Sequence, residues 1–542
     1  HTSKLQALWL NRYAENLDYQ IEPGASSSIQ FPDAGPFDRR LGYAALPTFL
    51  ERLTQRGFTV QQQVSFSPAL LRYVQRGFFV PYPEKSKAGL TIDDCRGEPL
   101  YANSYPHQYY ESFDDVPPVI AMSLLFIEDR GLLDAGRPRA NPAVDWPRFT
   151  MAAVSQVEKK LGLPVQAAGG STLATQVEKY RHSPEGRTGD AEEKIRQMIS
   201  ASVRTYREGQ QTMVTRQRIV RDYLNSVPLS AAYGHGEVHG IADGLRLWYG
   251  ADFAEVNRVL DTRRNEGVSY ETQGLALRQV LSLLIAQRRP SYYLGAGRAD
   301  MAELTDSHIR LLANGGVIGT RLRNAALQQQ VEFRNLRLEP GIREVPSSKG
   351  ITAARMRLSN LLGVSLYELD RLDLAATTPL HGELQGQISN YLHRLADPAF
   401  AGEVGLFGER MLSPERTGDV RYSFTLFERG EQGFRVRVQT DNTNQPFDIN
   451  EGSKLELGST AKLRVLTTYL EVIAELHERY AKSDVATLRK AEAVDPLTRW
   501  ALAYLIQHED RNLPAMLDAA LERRYSASPT ERFFTGAGMH RF

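Results

Sequence analysis

The longest apolar run in the chain is Val119-Ile-Ala-Met-Ser-Leu-Leu-Phe-Ile127, which directly follows Pro117-Pro118. A proline start followed by a mostly apolar stretch predicts a buried helix. Its far end presents Glu128-Asp129-Arg130. A carboxylate at that end is partly desolvated, a setting that suits a general base. A second pattern follows at Ala168-Gly169-Gly170-Ser171-Thr172-Leu173-Ala174-Thr175-Gln176-Val177-Glu178-Lys179 and predicts a glycine turn running into a helix. Ser171 or Thr172 can cap that helix, whose free N–H groups form an anion site. Thr172, Gln176 and Lys179 stand at i, i+4 and i+7 and share one face, while Leu173, Val177 and Tyr180 turn into a core.

Further periodicities extend the map. Residues 190–208 predict an amphipathic helix with Ile195, Met198, Ile199, Ser202, Val203 and Tyr206 as the packing stripe. Lys194, Gln197 and Arg204 line its flank. Thr215 is expected to cap the next helix, with Ile219, Val220, Tyr223 and Leu224 inward and Asn225 at the end. Leu275–Ala286 is apolar all round and therefore buried. Arg148 stands near the start of a helix expected over Phe149–Val157. Alternation on either side of Arg96-Gly97 predicts a hairpin feeding the acid-bearing helix. A second hairpin, Tyr422–Leu426 with Phe434–Val438, is expected to bury one face. Gly458-Ser459-Thr460-Ala461-Lys462 then opens a helix with Leu466, Leu470 and Ile473 inward. Serine one turn before lysine places the amine where it can activate the hydroxyl as a nucleophile, although a lone Ser-x-x-Lys is a weak signal.

Composition narrows the classes. A chain of 542 residues is long enough for two or three domains. With 65 basic and 64 acidic residues the net charge is +1, so no whole-chain field favours nucleic acid and any anion site is local. The single cysteine, Cys95, excludes an intramolecular disulfide and a multi-cysteine metal cluster. No run reaches the roughly 18 apolar residues of a membrane span. His235 and His239, at i and i+4 without further ligands, read as ordinary loop and surface histidines.

The order Glu-Asp-Arg, then Gly-Gly-Ser-Thr-x-x-x-Gln-x-x-Lys, then Tyr-Leu-Asn at 223–225 resembles the peptidoglycan glycosyltransferases of family 51, over roughly residues 90–330. The resemblance implies an α+β multidomain chain: a mostly α-helical, lysozyme-like glycosyltransferase domain, then the N-terminal part of an α/β penicillin-binding transpeptidase-like domain. The expected divisions are a docking or packing region at 1–88, the glycosyltransferase domain at 89–330, a linker at 331–370 and a truncated transpeptidase-like part at 371–542. Carried residue by residue, it makes Glu128 the base in polymerising lipid II into glycan strands. Asp129, Arg130, Arg148, Gly170, Ser171, Thr172, Gln176, Lys179, Lys194, Gln197, Arg204 and Asn225 become substrate-binding residues, and Ser459 and Lys462 a possible acyl-transfer pair. Lipid II, the glycan strand, a membrane surface and cell-wall synthesis proteins are the implied partners, at the periplasmic face of a bacterial inner membrane with an anchor upstream. No cofactor is certain, and the pyrophosphate leaves room for a divalent cation. Gln197 stands where the family carries a glutamate and cannot take a proton. The alternative is thus a catalytically impaired, cell-wall-binding scaffold that keeps the glycosyltransferase fold.

Overall fold

In the computed structural model the described residues are 2–33, 35–144, 171–264, 266–337, 349–409, 411–431, 433–443, 445, 449–454, 458–523, 532–535 and 538–541. Contacts divide the chain into two compact units, His1–Gly452 and Ser453–Phe542.

The first unit is mostly helical with small sheets. Its main core gathers Ile120, Leu124, Leu173, Tyr223, Leu224 and Leu281. The helix Tyr270–Ala286 runs through that core, buried on nearly every side over its second half, as its apolar composition predicts. Gly274 lets the helix Thr320–Gln328 come close, since a Cβ there would meet the Ala326 backbone nitrogen at 2.7 Å. Pro118 opens the helix Pro118–Glu128, which buries Val119, Ile120, Ala121, Ser123 and Leu124 and ends on the acid.

The hairpin around Arg96-Gly97 forms from Gly89–Asp93 and Pro99–Ala102, with Gly97 at φ 84 in the turn. A distant strand, Asp373–Thr377, adds to it in parallel. The later hairpin, Ser423–Gly430 with Gly433–Asp441, also forms, but its expected buried face does not. Phe427 is 58% and Phe434 72% exposed, and burial is confined to the end at Val438–Asp441. There the helix Gly382–Arg394 covers the strand, with Gln385 exchanging hydrogen bonds with the Gln439 backbone.

The helix Ala191–Tyr206 reverses its expected orientation over the first half. Ile195 is 56% exposed, while Glu193, Gln197 and Ser200 are buried. The cause is a polar interior. Glu193 accepts from Ser183 and pairs with Arg196, and Gln197 donates to Ser183 and Thr188. Buried polar groups must be partnered, and here the partners lie on the inner side.

In the second unit the helices Ala461–Tyr480, Pro496–Gln507 and Leu513–Leu521 pack around Ile473, Leu488, Leu505 and Met516. Ile473 is buried as expected, whereas Leu466 is 41% exposed. Among the described residues no helix is long and apolar enough to cross a membrane. The placement at an inner membrane is therefore corrected: the described residues offer no spanning helix to support it.

Candidate active site

The site forms where the C-terminal end of the helix Pro118–Glu128 meets two other elements. Glu128, its side chain 16% exposed, accepts a hydrogen bond at Oε2 from Gln176 Nε2 at 3.2 Å. Gln287 Nε2 approaches Oε1 at 3.5 Å, and an Arg288 Nη2 lies 3.7 Å away. Both amides are aligned by one phenol: the Tyr180 hydroxyl lies 2.8 Å from Gln287 Oε1 and 3.2 Å from Gln176 Oε1. With a single proton, that hydroxyl serves one acceptor at a time. Burial raises the Tyr180 pKa and the Glu128 charge adds to the rise, so the phenol stays protonated.

Gln176 sits in the helix Leu173–His182, whose start completes the second half of the site. Thr172 is the cap: its hydroxyl accepts from the Thr175 N–H at 3.3 Å, and the Thr175 hydroxyl takes the Thr172 N–H at 3.0 Å. Lys194 reaches across from the helix Ala191–Tyr206 to donate to Ser171 Oγ at 2.7 Å. Burial, helped by the Lys179 charge, lowers the Lys194 pKa to about 8. Burial also lowers Lys179, with the Glu128 charge opposing. Among the described residues neither lysine has a carboxylate in ion-pair contact. Lys194 stands at the helix start and Lys179 in the last turn of the same helix; these desolvated ammonium groups act on each other and, with the free N–H groups at the helix start, favour an anion.

Other expected site residues lie elsewhere. Arg204 is turned inward, paired with Glu178 at 2.7 Å and Glu84 at 2.8 Å. Arg181, His182, Asp38 and Asp222 join the same buried ionic cluster. For His182 burial alone would lower the pKa, but the Glu84 and Asp38 carboxylates outweigh it and raise it to about 10. Gln197 is buried among Ser183 and Thr188. Asn225 clamps the Tyr110 backbone, accepting its N–H at 2.8 Å and donating to its carbonyl at 2.9 Å. Asp129 ends the acid-bearing helix. Arg130 folds back over the Phe126 ring at 3.8 Å. Arg148 and Gly170 lie outside the described residues. Ser459 and Lys462 belong to the second unit, where both side chains are exposed and no hydrogen bond joins them.

Tyr180, Gln287 and Arg288 are site residues that sequence reasoning missed. The spacing of Tyr180 predicts a core position, which is right for its ring and silent about its hydroxyl. Gln287 and Arg288 follow the buried helix directly, but nothing local connects them to an acid 159 residues away. Arg216 adds support: wholly buried, it donates to the carbonyls of Leu132, Asp134 and Arg137 and so ties down the loop that follows Glu128.

Residues 96–311 match the family model described as Transglycosylase, a span that contains every residue of the site from Glu128 to Arg288. No curated protein matches the chain.

Proposed function

We propose, from the premise that residues 96–311 are a peptidoglycan transglycosylase domain of glycosyltransferase family 51, that this chain joins lipid-linked disaccharide-peptide units into glycan strands with inversion at the anomeric carbon. Glu128 takes the proton from the acceptor sugar's hydroxyl as that oxygen attacks the donor's anomeric carbon. The bond from that carbon to the pyrophosphate breaks, and the polyprenyl pyrophosphate leaves with the electron pair. Lys179, Lys194 and the helix start at Ser171-Thr172 face the charge that develops on the leaving group. Gln176 and Gln287 hold the carboxylate in one orientation, and Tyr180 holds the amides.

The observation that carries this reading is the bond from Glu128 to Gln176. It joins the Glu128 carboxylate, at the end of its own helix, to the first turn of the helix Leu173–His182, at whose start Lys194 bonds Ser171. Base and leaving-group clamp are thereby parts of one element pair.

A second reading has its own support. Gln197 replaces an ionisable group with an amide turned toward Ser183 and Thr188, consistent with a scaffold that binds without turnover. Incubation of the chain with labelled lipid II separates the two. The catalytic reading expects polymer, and bound lipid II without polymer would favour the scaffold.

A further inference from the structure

Beside Tyr180 the first unit holds a cavity of about 760 Å³ whose walls come about equally from inside and outside the matched family span. The short helix Pro36–Arg40 forms one wall and the turn after Leu366–Leu369 another. The hairpin Pro228–Ala232 with Gly236–His239 and the Pro290-Ser291 corner complete it. Three arginines, the exposed Arg39 with Arg40 and Arg371, line it together with Glu185, Glu237 and Glu368; Arg40 and Arg371 are the two held back from solvent.

Neither has a carboxylate in ion-pair contact among the described residues. Arg40 has no hydrogen bond there at all, and its Nε is shielded from water without a partner. Its guanidinium carbon stands 5.5 Å from the centre of the Tyr105 ring. Arg371, 8% exposed, donates to the Tyr367 carbonyl at 3.1 Å and the His235 carbonyl at 2.5 Å, and its Nε is also unpartnered. It lies 4.6 Å from the same Tyr105 ring. The Glu237 charge acts on both, but its side chain is 64% exposed and bonds His239 at 3.3 Å. Buried guanidinium groups are ordinarily paired, because their desolvation is otherwise uncompensated. A half-buried Arg40 whose side chain makes no hydrogen bond and a buried Arg371, both set against the Tyr105 ring, describe a site that favours an anion.

The neighbourhood selects which anion. Tyr180 lines this cavity and is also bonded to Gln287, which contacts Glu128, so the cavity adjoins the reacting centre. The pyrophosphate of the substrate already has Lys179, Lys194 and a helix start. What remains negatively charged on a disaccharide-peptide is the peptide. We propose that the Arg40/Arg371 cavity binds the carboxylates of the peptide carried by the substrate, a proposal that rests on the polymerase reading for the identity of that substrate. Planar, forked guanidinium donors suit a carboxylate in two-point contact. A volume of this size takes a short peptide.

The test uses the full chain and a soluble, lipid-free disaccharide-pentapeptide, with its carboxyl-amidated form as comparison, in titration calorimetry. The acid form is expected to bind about tenfold more tightly than the amide. Arg40→Gln, which breaks no hydrogen bond and so spares the fold, should erase that difference, and Arg371→Gln should do the same if circular dichroism shows it folded. In polymerisation, Arg40→Gln should raise KM about tenfold and leave kcat within about twofold. Equal binding of acid and amide by the unaltered chain, or retained discrimination in Arg40→Gln, overturns the proposal. So does displacement of the peptide by inorganic phosphate at concentrations where acetate has no effect, which would assign the cavity to phosphate. The two readings fail separately. Polymer without discrimination removes the peptide site alone, and discrimination without polymer removes the polymerase reading alone.

Discussion

Removing one oxygen, in Tyr180→Phe, tests whether the site works through the placement of Glu128. The hydroxyl stands 2.8 Å from Gln287 Oε1 and 3.2 Å from Gln176 Oε1, while the ring keeps its packing against the core. A hydrogen bond of this kind contributes about 1 kcal/mol net, and stranding a buried acceptor costs about 1–3 kcal/mol. Tyr180 and Gln287 are only partly buried, so water can replace part of the loss and the lower figure applies. If that energy is spent holding the two amides, and through them the carboxylate, kcat should fall roughly fivefold to tenfold, at about 1.36 kcal/mol per factor of ten. KM should barely change. The assay is initial-rate polymerisation of labelled lipid II, run beside urea denaturation. Gln287→Leu should cause a similar loss, and the double variant should lose little more than either single, because all three groups act as one unit. Unchanged kcat together with lowered stability would make Tyr180 a packing residue. Strictly additive losses would break the proposed link to Glu128.

Other consequences follow from the same geometry. Lys194→Met should lower kcat about a hundredfold, as loss of a well-aimed charge donor does. Because burial brings the Lys194 pKa to about 8, its charge is present below that pH and lost above it. Activity should therefore fall on a basic limb near pH 8, which Lys194→Arg moves upward; an unmoved limb assigns it to another group. His182 is raised to about 10 from an unfolded value of about 6.5. Its contribution to stability is thus complete below about pH 6.5 and lost as pH rises through about 10. Denaturation midpoints across that window should show the decline, and Asp38→Asn should flatten it. In the second unit, fluorescent penicillin should leave Ser459 unlabelled, since no bond links its hydroxyl to Lys462; a label that disappears in Ser459→Ala would contradict this.

The two patterns that define the site are local, which is why they can be read from the chain. A proline followed by apolar residues sets the helix Pro118–Glu128 and delivers its acid, and a threonine after glycines sets the cap of the helix Leu173–His182. What cannot be read is contact between distant segments. Gln287 meets Glu128 only because the buried helix Tyr270–Ala286 happens to end there. Arg204 looks like a solvated or ligand-facing cation by spacing, yet it pairs with Glu84, 120 positions earlier, which no periodicity announces. Contacts over a shorter span, from Glu193 to Ser183 and Arg196 and from Gln197 to Ser183 and Thr188, turn that face inward and leave Ile195 outside. Hydrophobic periodicity presumes an apolar interior, and this part of the interior is polar.

The central claim is that the Glu128 carboxylate takes the acceptor's proton, and Glu128→Gln tests it most directly. The amide fills the same volume but cannot accept that proton. With labelled lipid II and a folded protein, polymer should fall below detection while lipid II is still bound. Glycan output close to that of the unaltered chain would contradict the account.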